Sequence, residues 1–154
     1  NRICIEDGMK LVNIVRKPEH VAMLKQQGAT YVVDSSAPTY MADLHAAIAE
    51  TGAFLGFDPI GGGQASDGVL KAMEQVAVSQ MSEFSRYGSN QQKRMYIYGR
   101  LDLSPTVLTP SYGLQWSIAG WLLTPFLQRA GFETAGRMRK RVQAGLTTTF
   151  ASNY

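Results

Sequence analysis

The residues best suited to chemistry in this chain are two cations at the end of an apolar run. In LVNIVRKPEH, residues 11–20, the run stops at Arg16 and Lys17, and Pro18 restarts the chain. A guanidinium can meet a phosphate through two parallel hydrogen bonds, and a neighbouring ammonium adds a point charge, so the pair has the character of a phosphate site. Read blandly, it is a solvated pair capping a strand. Three other short stretches put glycine beside polar or aromatic residues: FDPIGGG (57–63), IYGRLD (97–102) and AGWLL (119–123). Glycine there lets backbone come close to a ligand.

These stretches are useful only if the fold brings them to one place, and the sequence pattern says how. KLVNIV (10–15) is rich in β-branched and apolar residues and predicts a strand buried on both faces. PEHVAMLKQQG (18–28) predicts a helix opened by Pro18 and closed by Gly28 in the left-handed conformation. The alternation repeats. Strands are predicted at 30–34, 53–58, 94–99 and 116–121, and helices at 38–52, 64–78, 124–131 and 133–145. Strand and helix in turn predict an α/β fold, a doubly wound and mostly parallel sheet with helices on both faces. The polar stretch SEFSRYGSNQQK (82–93) is long for a connection and is a candidate lid or insertion.

In an open parallel sheet, ligands bind beyond the carboxyl ends of the strands, where all four stretches fall. In dinucleotide-binding sheets an acidic residue at one such end takes the ribose hydroxyls of NAD, and a basic one accommodates the extra phosphate of NADP. Arg16 and Lys17 are of the second kind. The Gly-x-Gly-x-x-Gly turn that would confirm a dinucleotide is absent. Gly61–Gly63 imitate it, but its third glycine would fall at Ser66 and the motif would follow the wrong strand.

The succession VNIVRK, LKQQGATYVVD, FDPIGGG and YIYGRL resembles the medium-chain dehydrogenase/reductase superfamily, in its zinc-independent quinone and enoyl reductase branch, over about residues 3–150. That resemblance implies a Rossmann-type cofactor domain lacking its first strand and glycine loop. It implies NADPH as cofactor rather than NADH. Arg16 and Lys17 would hold the adenosine 2′-phosphate with Asn13 nearby, and Ile60, Gly61 and Gly62 would lie along a ribose. Tyr98, Gly99 and Arg100 would approach the nicotinamide side, as would Trp121 and Leu122, a pair that could equally be core or interface. It also implies pairing of two copies through the last strand. The opening on Asn1, with NRICIEDG reading as the last turns of a helix, predicts a piece of a larger protein, and residues 147–154 would begin the return toward a separate substrate domain.

Other classes find little support. Cys4 is the only cysteine, and Cys4, His20 and His45 fall on three separate predicted helices without ligand spacing, so no metal site is expected. Cys4 reads as a small core residue. No Gly-x-Ser-x-Gly elbow occurs, and no tyrosine precedes a lysine by four. Asp58, followed by Pro59, reads as the residue that fixes a turn rather than a catalytic acid. The run Arg137, Arg139, Lys140 and Arg141 spreads around a helix, with Met138 and Val142 keeping an apolar stripe, and reads as a solvated face rather than a nucleic-acid surface. The net charge of +3 decides nothing between anionic partners. The apolar stretch around SIAGWLLTPFLQ is too short for a bilayer, and one cysteine fits a reducing, cytoplasmic setting.

The sequence therefore reads as the cofactor-binding domain of an NADPH-dependent oxidoreductase that passes hydride to a quinone or an α,β-unsaturated carbonyl, with no proton-transfer residue of its own. The competing reading is a non-catalytic nucleotide-binding or dimerisation module built on the same sheet.

Overall fold

A computed structural model describes residues 1–151. The chain forms two compact units: one comprises Asn1 and residues 3–120, the other Arg2 and the chain from Trp121 onward. Residues 147–151 of the predicted return fall in the second, and residues 152–154 lie outside the described ones.

In the first unit, α1 (Arg2–Glu6), which belongs to it apart from Arg2, leads into β1 (Val12–Val15), α2 (Pro18–Gln26), β2 (Tyr31–Asp34), α3 (Tyr40–Thr51), β3 (Leu55–Asp58), α4 (Ala65–Ser79), β4 (Lys93–Ile97) and β5 (Trp116–Gly120). Local chemistry sets the boundaries. Pro18 opens α2, where its missing N–H costs nothing. Gly52 closes α3 at φ 66°, a conformation that a Cβ would penalise. All three strand pairings are parallel. That agrees with the alternating pattern.

The sheet does not come as one piece. β1 pairs with β2, and β3, β4 and β5 form a separate sheet in that order. The expectation that KLVNIV is buried on both faces is thereby corrected. Ile14 is 39% exposed, and across a cleft Leu55 and Phe57 are 51% and 57% exposed. The reason is that β1 and β3 each lack a strand on one edge among the described residues. The core lies instead where α3 and α4 pack on each other and on the strands: Leu44, Ile48, Leu70, Met73, Val76, Met95 and Tyr112 are buried there with Val33. Gly56 leaves room on that side, since a Cβ would fall 2.3 Å from the Met95 sulfur.

The stretch read as a candidate lid is tied down at its far end. Lys93 Nζ, fully buried, lies 2.6 Å from the Glu74 carboxylate and donates to Ser89 Oγ and the Gln91 carbonyl. Ser89 donates its N–H and O–H to the same carboxylate. Phe84 at the other end is 96% exposed. A second network holds the segment before β5. Asp67 of α4 accepts from the Tyr112 hydroxyl and from the N–H and O–H of Thr109, and pairs with Lys71 at 2.9 Å.

In the second unit, α5 (Leu123–Ala144) is broken at Gly131, whose φ of 81° and ψ of 168° leave the helical region. The two helical stretches on either side match the two predicted ones. Ala135 is buried, but Met138 and Val142 are exposed, so the expected apolar stripe is not covered among the described residues. Cys4, in α1, is half-buried rather than part of the core.

These networks predict two stability effects. Glu74→Gln strands a buried ammonium and should cost about 3–5 kcal/mol, while adding Lys93→Met should restore part of it, because removing both charges is far cheaper than removing one. Urea unfolding of the two variants measures both. For Asp67, burial opposes the charge, but the Tyr112 hydroxyl, Lys71 and Thr109 outweigh it and hold the carboxyl well below its ordinary range. Burial likewise opposes the Glu74 charge and is outweighed by Lys93 and Ser89, so this carboxyl is lowered as well. With folded values below unfolded ones, the stabilisation is whole above about pH 4 and drains away as pH falls through the folded values. The urea midpoint should therefore drop below about pH 4. Asp67→Asn should flatten that drop while lowering stability at neutral pH.

Candidate functional site

The loops after β3 and β4 form one structure. Asp58, the last residue of β3, is buried, and its Oδ1 accepts the N–H groups of Ile60 (2.7 Å) and Gly61 (3.1 Å) while Oδ2 accepts the Ser66 hydroxyl (2.6 Å). One carboxylate thus shapes the Pro-Ile-Gly-Gly-Gly turn and fastens it to the start of α4, as the sequence reading of Asp58 expects. The pairing of β3 with β4 continues past the strands: Tyr98 N–H donates to the Asp58 carbonyl, Leu101 to Pro59 and Asp102 to Ile60. A third segment joins from below. Gly63 donates to the Pro105 carbonyl, Val107 donates to Gly63, and the Thr106 hydroxyl donates to the Gly61 carbonyl.

This packing gives the glycines a duty that the sequence does not announce, the close approach of one loop to another. Gly61 has φ 79°, and a Cβ on it would lie 2.7 Å from the Gly99 carbonyl oxygen. A Cβ on Gly99 would lie 2.4 Å from the Pro59 carbonyl oxygen. Gly61 and Gly62 are buried. The glycines let two loops close on each other, and the groups left facing outward are the side chains of Ile60, Tyr98 and Arg100, all exposed. The contribution of Thr106 carries no sequence signal, because TVL is indistinguishable from any short extended stretch.

At the end of β1, Arg16 and Lys17 are exposed. Lys17 lies 3.8 Å from Glu19 with both side chains largely in solvent, a contact of little energetic weight. Among the described residues Arg16 has no ion pair. The nearest strand-end carboxylate, Asp34, is turned into its own loop, accepting the Ser36 N–H (2.8 Å) and hydroxyl (2.6 Å), which lower its pKa. It therefore does not consume the guanidinium. Asn13 stands further back on β1, half-buried, with its amide donating to the Tyr31 carbonyl and to Asn1. That places it behind the strand end rather than at it.

The structure thus brings Ile60, Gly61 and Gly62 together with Tyr98, Gly99 and Arg100. The basic pair follows β1, across a cleft lined by Val12 and Ile14 on one side and by Leu55 to Ile60 on the other. Trp121 and Leu122 belong to the second unit, where the Trp121 ring packs against Phe126 at 5.6 Å and Leu122 is exposed.

No protein-family model and no curated protein matches this chain. Solved structures do. A protein of Mesorhizobium loti assigned as an NADPH:quinone reductase superposes with a TM-score of 0.74 at 23% identity, over 98% of this chain and 40% of its own. A mutant enoyl thioester reductase from Candida tropicalis gives 0.59 at 22% identity, over 82% and 33%. The mitochondrial 2-enoyl thioester reductase heterodimer of the same organism gives 0.58 at 22%, also over 82% and 33%. The chain therefore spans about two fifths of the length of the first of these proteins and a third of the other two. What it shares with them is the fold, a Rossmann-type arrangement of parallel strands and flanking helices.

Proposed function

We propose that this chain is the cofactor-binding domain of an NADPH-dependent, zinc-independent oxidoreductase that delivers hydride to a quinone or an α,β-unsaturated carbonyl. The observation that carries the proposal is the edge formed by the strand ends. An exposed guanidinium without an ion pair among the described residues and an exposed ammonium, only loosely paired with Glu19, follow β1, and two interlocked glycine loops follow β3 and β4. The proteins sharing the fold add support: all three are named for reductase chemistry, and a further match, at a TM-score of 0.53, was solved with NADP and crotonyl-CoA.

The donors fit the group they would hold. Arg16 and Lys17 supply bidentate and point-charge contacts to a 2′-phosphate, with the guanidinium spared by Asp34. Ile60 offers an apolar edge to a ribose. Tyr98 and Arg100 flank the nicotinamide side on a loop that Asp58 and Thr106 hold rigid through their contacts with the opposing turn. Nicotinamide itself supplies the hydride when bound, and the chain contributes orientation and electrostatics. Within this reading the chain supplies neither the substrate pocket nor the proton donor, and it spans two fifths or less of the proteins that share its fold.

A cytoplasmic setting and a homodimer paired through β5 belong to the same proposal. β5 ends its sheet with one edge unpaired among the described residues, and its Ala119 and Gly120 are exposed. No described helix is long and apolar enough to cross a membrane. The free edge is also what favours the alternative, a dimerisation module without catalysis.

Titration of NADPH and NADH against the protein separates the readings. NADPH should bind more tightly, and Arg16→Ala should weaken it by about 1.5–3 kcal/mol while sparing NADH. Equal binding of the two that ignores Arg16 would reduce the basic pair to a solvated strand end.

A further inference from the structure

One carboxylate stands beside the basic pair, and what it does there depends on a single hydroxyl. Asp34 ends β2 directly opposite Val15, the residue before Arg16, and the Ser35 N–H donates to the Val15 carbonyl at 2.7 Å. Neighbouring strands run about 4.8 Å apart, so the long Arg16 side chain starts one residue from a carboxylate that it is able to reach. Turned toward Arg16, that carboxylate would take up the guanidinium charge and repel a phosphate at the same place.

Asp34 is held back by the turn that it opens. Its carbonyl accepts the Ala37 N–H at 3.2 Å, which makes 34–37 a four-residue turn, and its Oδ1 accepts the Ser36 hydroxyl (2.6 Å) and the Ser36 N–H (2.8 Å). Aspartate at the head of a turn commonly takes the N–H two residues on, whatever residue stands there. The hydroxyl is the addition. It makes the shorter of the two bonds and is the larger reason that the Asp34 carboxyl lies below its ordinary range. Ser36 is itself exposed, so its side chain contributes this bond rather than packing.

We infer that Ser36 sets the cofactor preference of the strand-end edge, as a positioning residue that keeps the Asp34 carboxylate off Arg16 and leaves the guanidinium to a 2′-phosphate, a role that rests on the NADPH reading given above. Without the hydroxyl, Asp34 keeps one bond to a backbone N–H and is released to swing toward Arg16. There it neutralises the guanidinium and presents like charge to the phosphate. NADH carries no phosphate at that position and is indifferent to the change. Ser36 touches no cofactor atom in this scheme; it acts through Asp34.

Two measurements on the 154-residue chain test this: titration with NADPH and with NADH, and the Asp34 carboxyl pKa followed by NMR without nucleotide. Loss of NADPH affinity in Arg16→Ala establishes the phosphate site and keeps a failure of Ser36 apart from a failure of the cofactor reading. On that footing Ser36→Ala should weaken NADPH about fivefold, the scale of one exposed ion pair, and leave NADH unchanged. Ser36→Thr, which keeps a hydroxyl, should bind NADPH like the unsubstituted chain, and Asp34→Asn added to Ser36→Ala should restore the loss. Ser36→Ala should also raise the Asp34 pKa and make it sensitive to Arg16, so that adding Arg16→Ala raises it further, whereas Arg16→Ala alone should hardly move it. Equal weakening of both nucleotides would mark Ser36 as structural and overturn the inference. So would NADPH binding that needs Arg16 but ignores Ser36→Ala, or a loss that Asp34→Asn does not repair. An unsubstituted chain that binds neither nucleotide, or binds both without regard to Arg16, would remove the cofactor reading and this role with it, whatever the carboxyl pKa shows.

Discussion

Parallel pairing is the constraint on which the rest of this structure depends. Two parallel strands cannot be joined by a tight turn, so every connection must travel back the length of the sheet before the next strand begins. In this chain α2 and α4 make such returns within the pairs β1–β2 and β3–β4, and α3 crosses from one sheet to the other. The consequence is polar. Within each sheet every strand releases its next residues at the same edge, and that edge collects Arg16 and Lys17 from β1 and the glycine turns from β3 and β4. None of these residues is close to another group in sequence. The topology, not local sequence, assembles them.

The edge is then made rigid from behind. Asp58 spends both carboxylate oxygens on the turn that follows it and on α4, and the two loops lock through contacts that only glycine permits at Gly61 and Gly99. Further back, buried charge does similar work. Glu74 and Asp67, seven residues apart on α4, each gather a distant loop: Glu74 holds Ser89 and Lys93, and Asp67 holds Thr109 and Tyr112. Such pairs add modest net stability, because burial of the charges costs much of what their attraction returns. Their effect here is positional. They fix the connections on either side of β4 and so fix the strand that carries Tyr98 and Arg100.

Much of this was legible in the sequence, and the misses have a physical pattern. Element order could be read because Pro18, Gly28 and Gly52 punctuate the helices and β-branched runs mark β1 and β2. Asp58 could be read because an Asp-Pro at a strand end has few other uses. The Glu74–Lys93 and Asp67–Tyr112 links could not, since a buried ion pair and a surface one look alike until the fold brings a partner from afar. One duty of the glycines was hidden for the same reason: close approach was foreseen, but not that another loop of the chain makes such an approach. The exposure of Ile14, Leu55 and Phe57 went the opposite way. Their apolar character describes the environment of a central strand, and it is the pairing among the described residues that departs from it.

The central claim is that the strand-end edge is a binding surface for NADPH, and the most direct measurement is a map of backbone amide shifts in the isotopically labelled protein as NADPH is added. The account predicts that the largest changes fall on Arg16, Lys17, residues 60–62 and residues 98–100, with α4 beyond its first turn unaffected. Changes concentrated instead along the groove of Lys71, Gln75, Val78 and Ser111, or spread without regard to the strand ends, would contradict it.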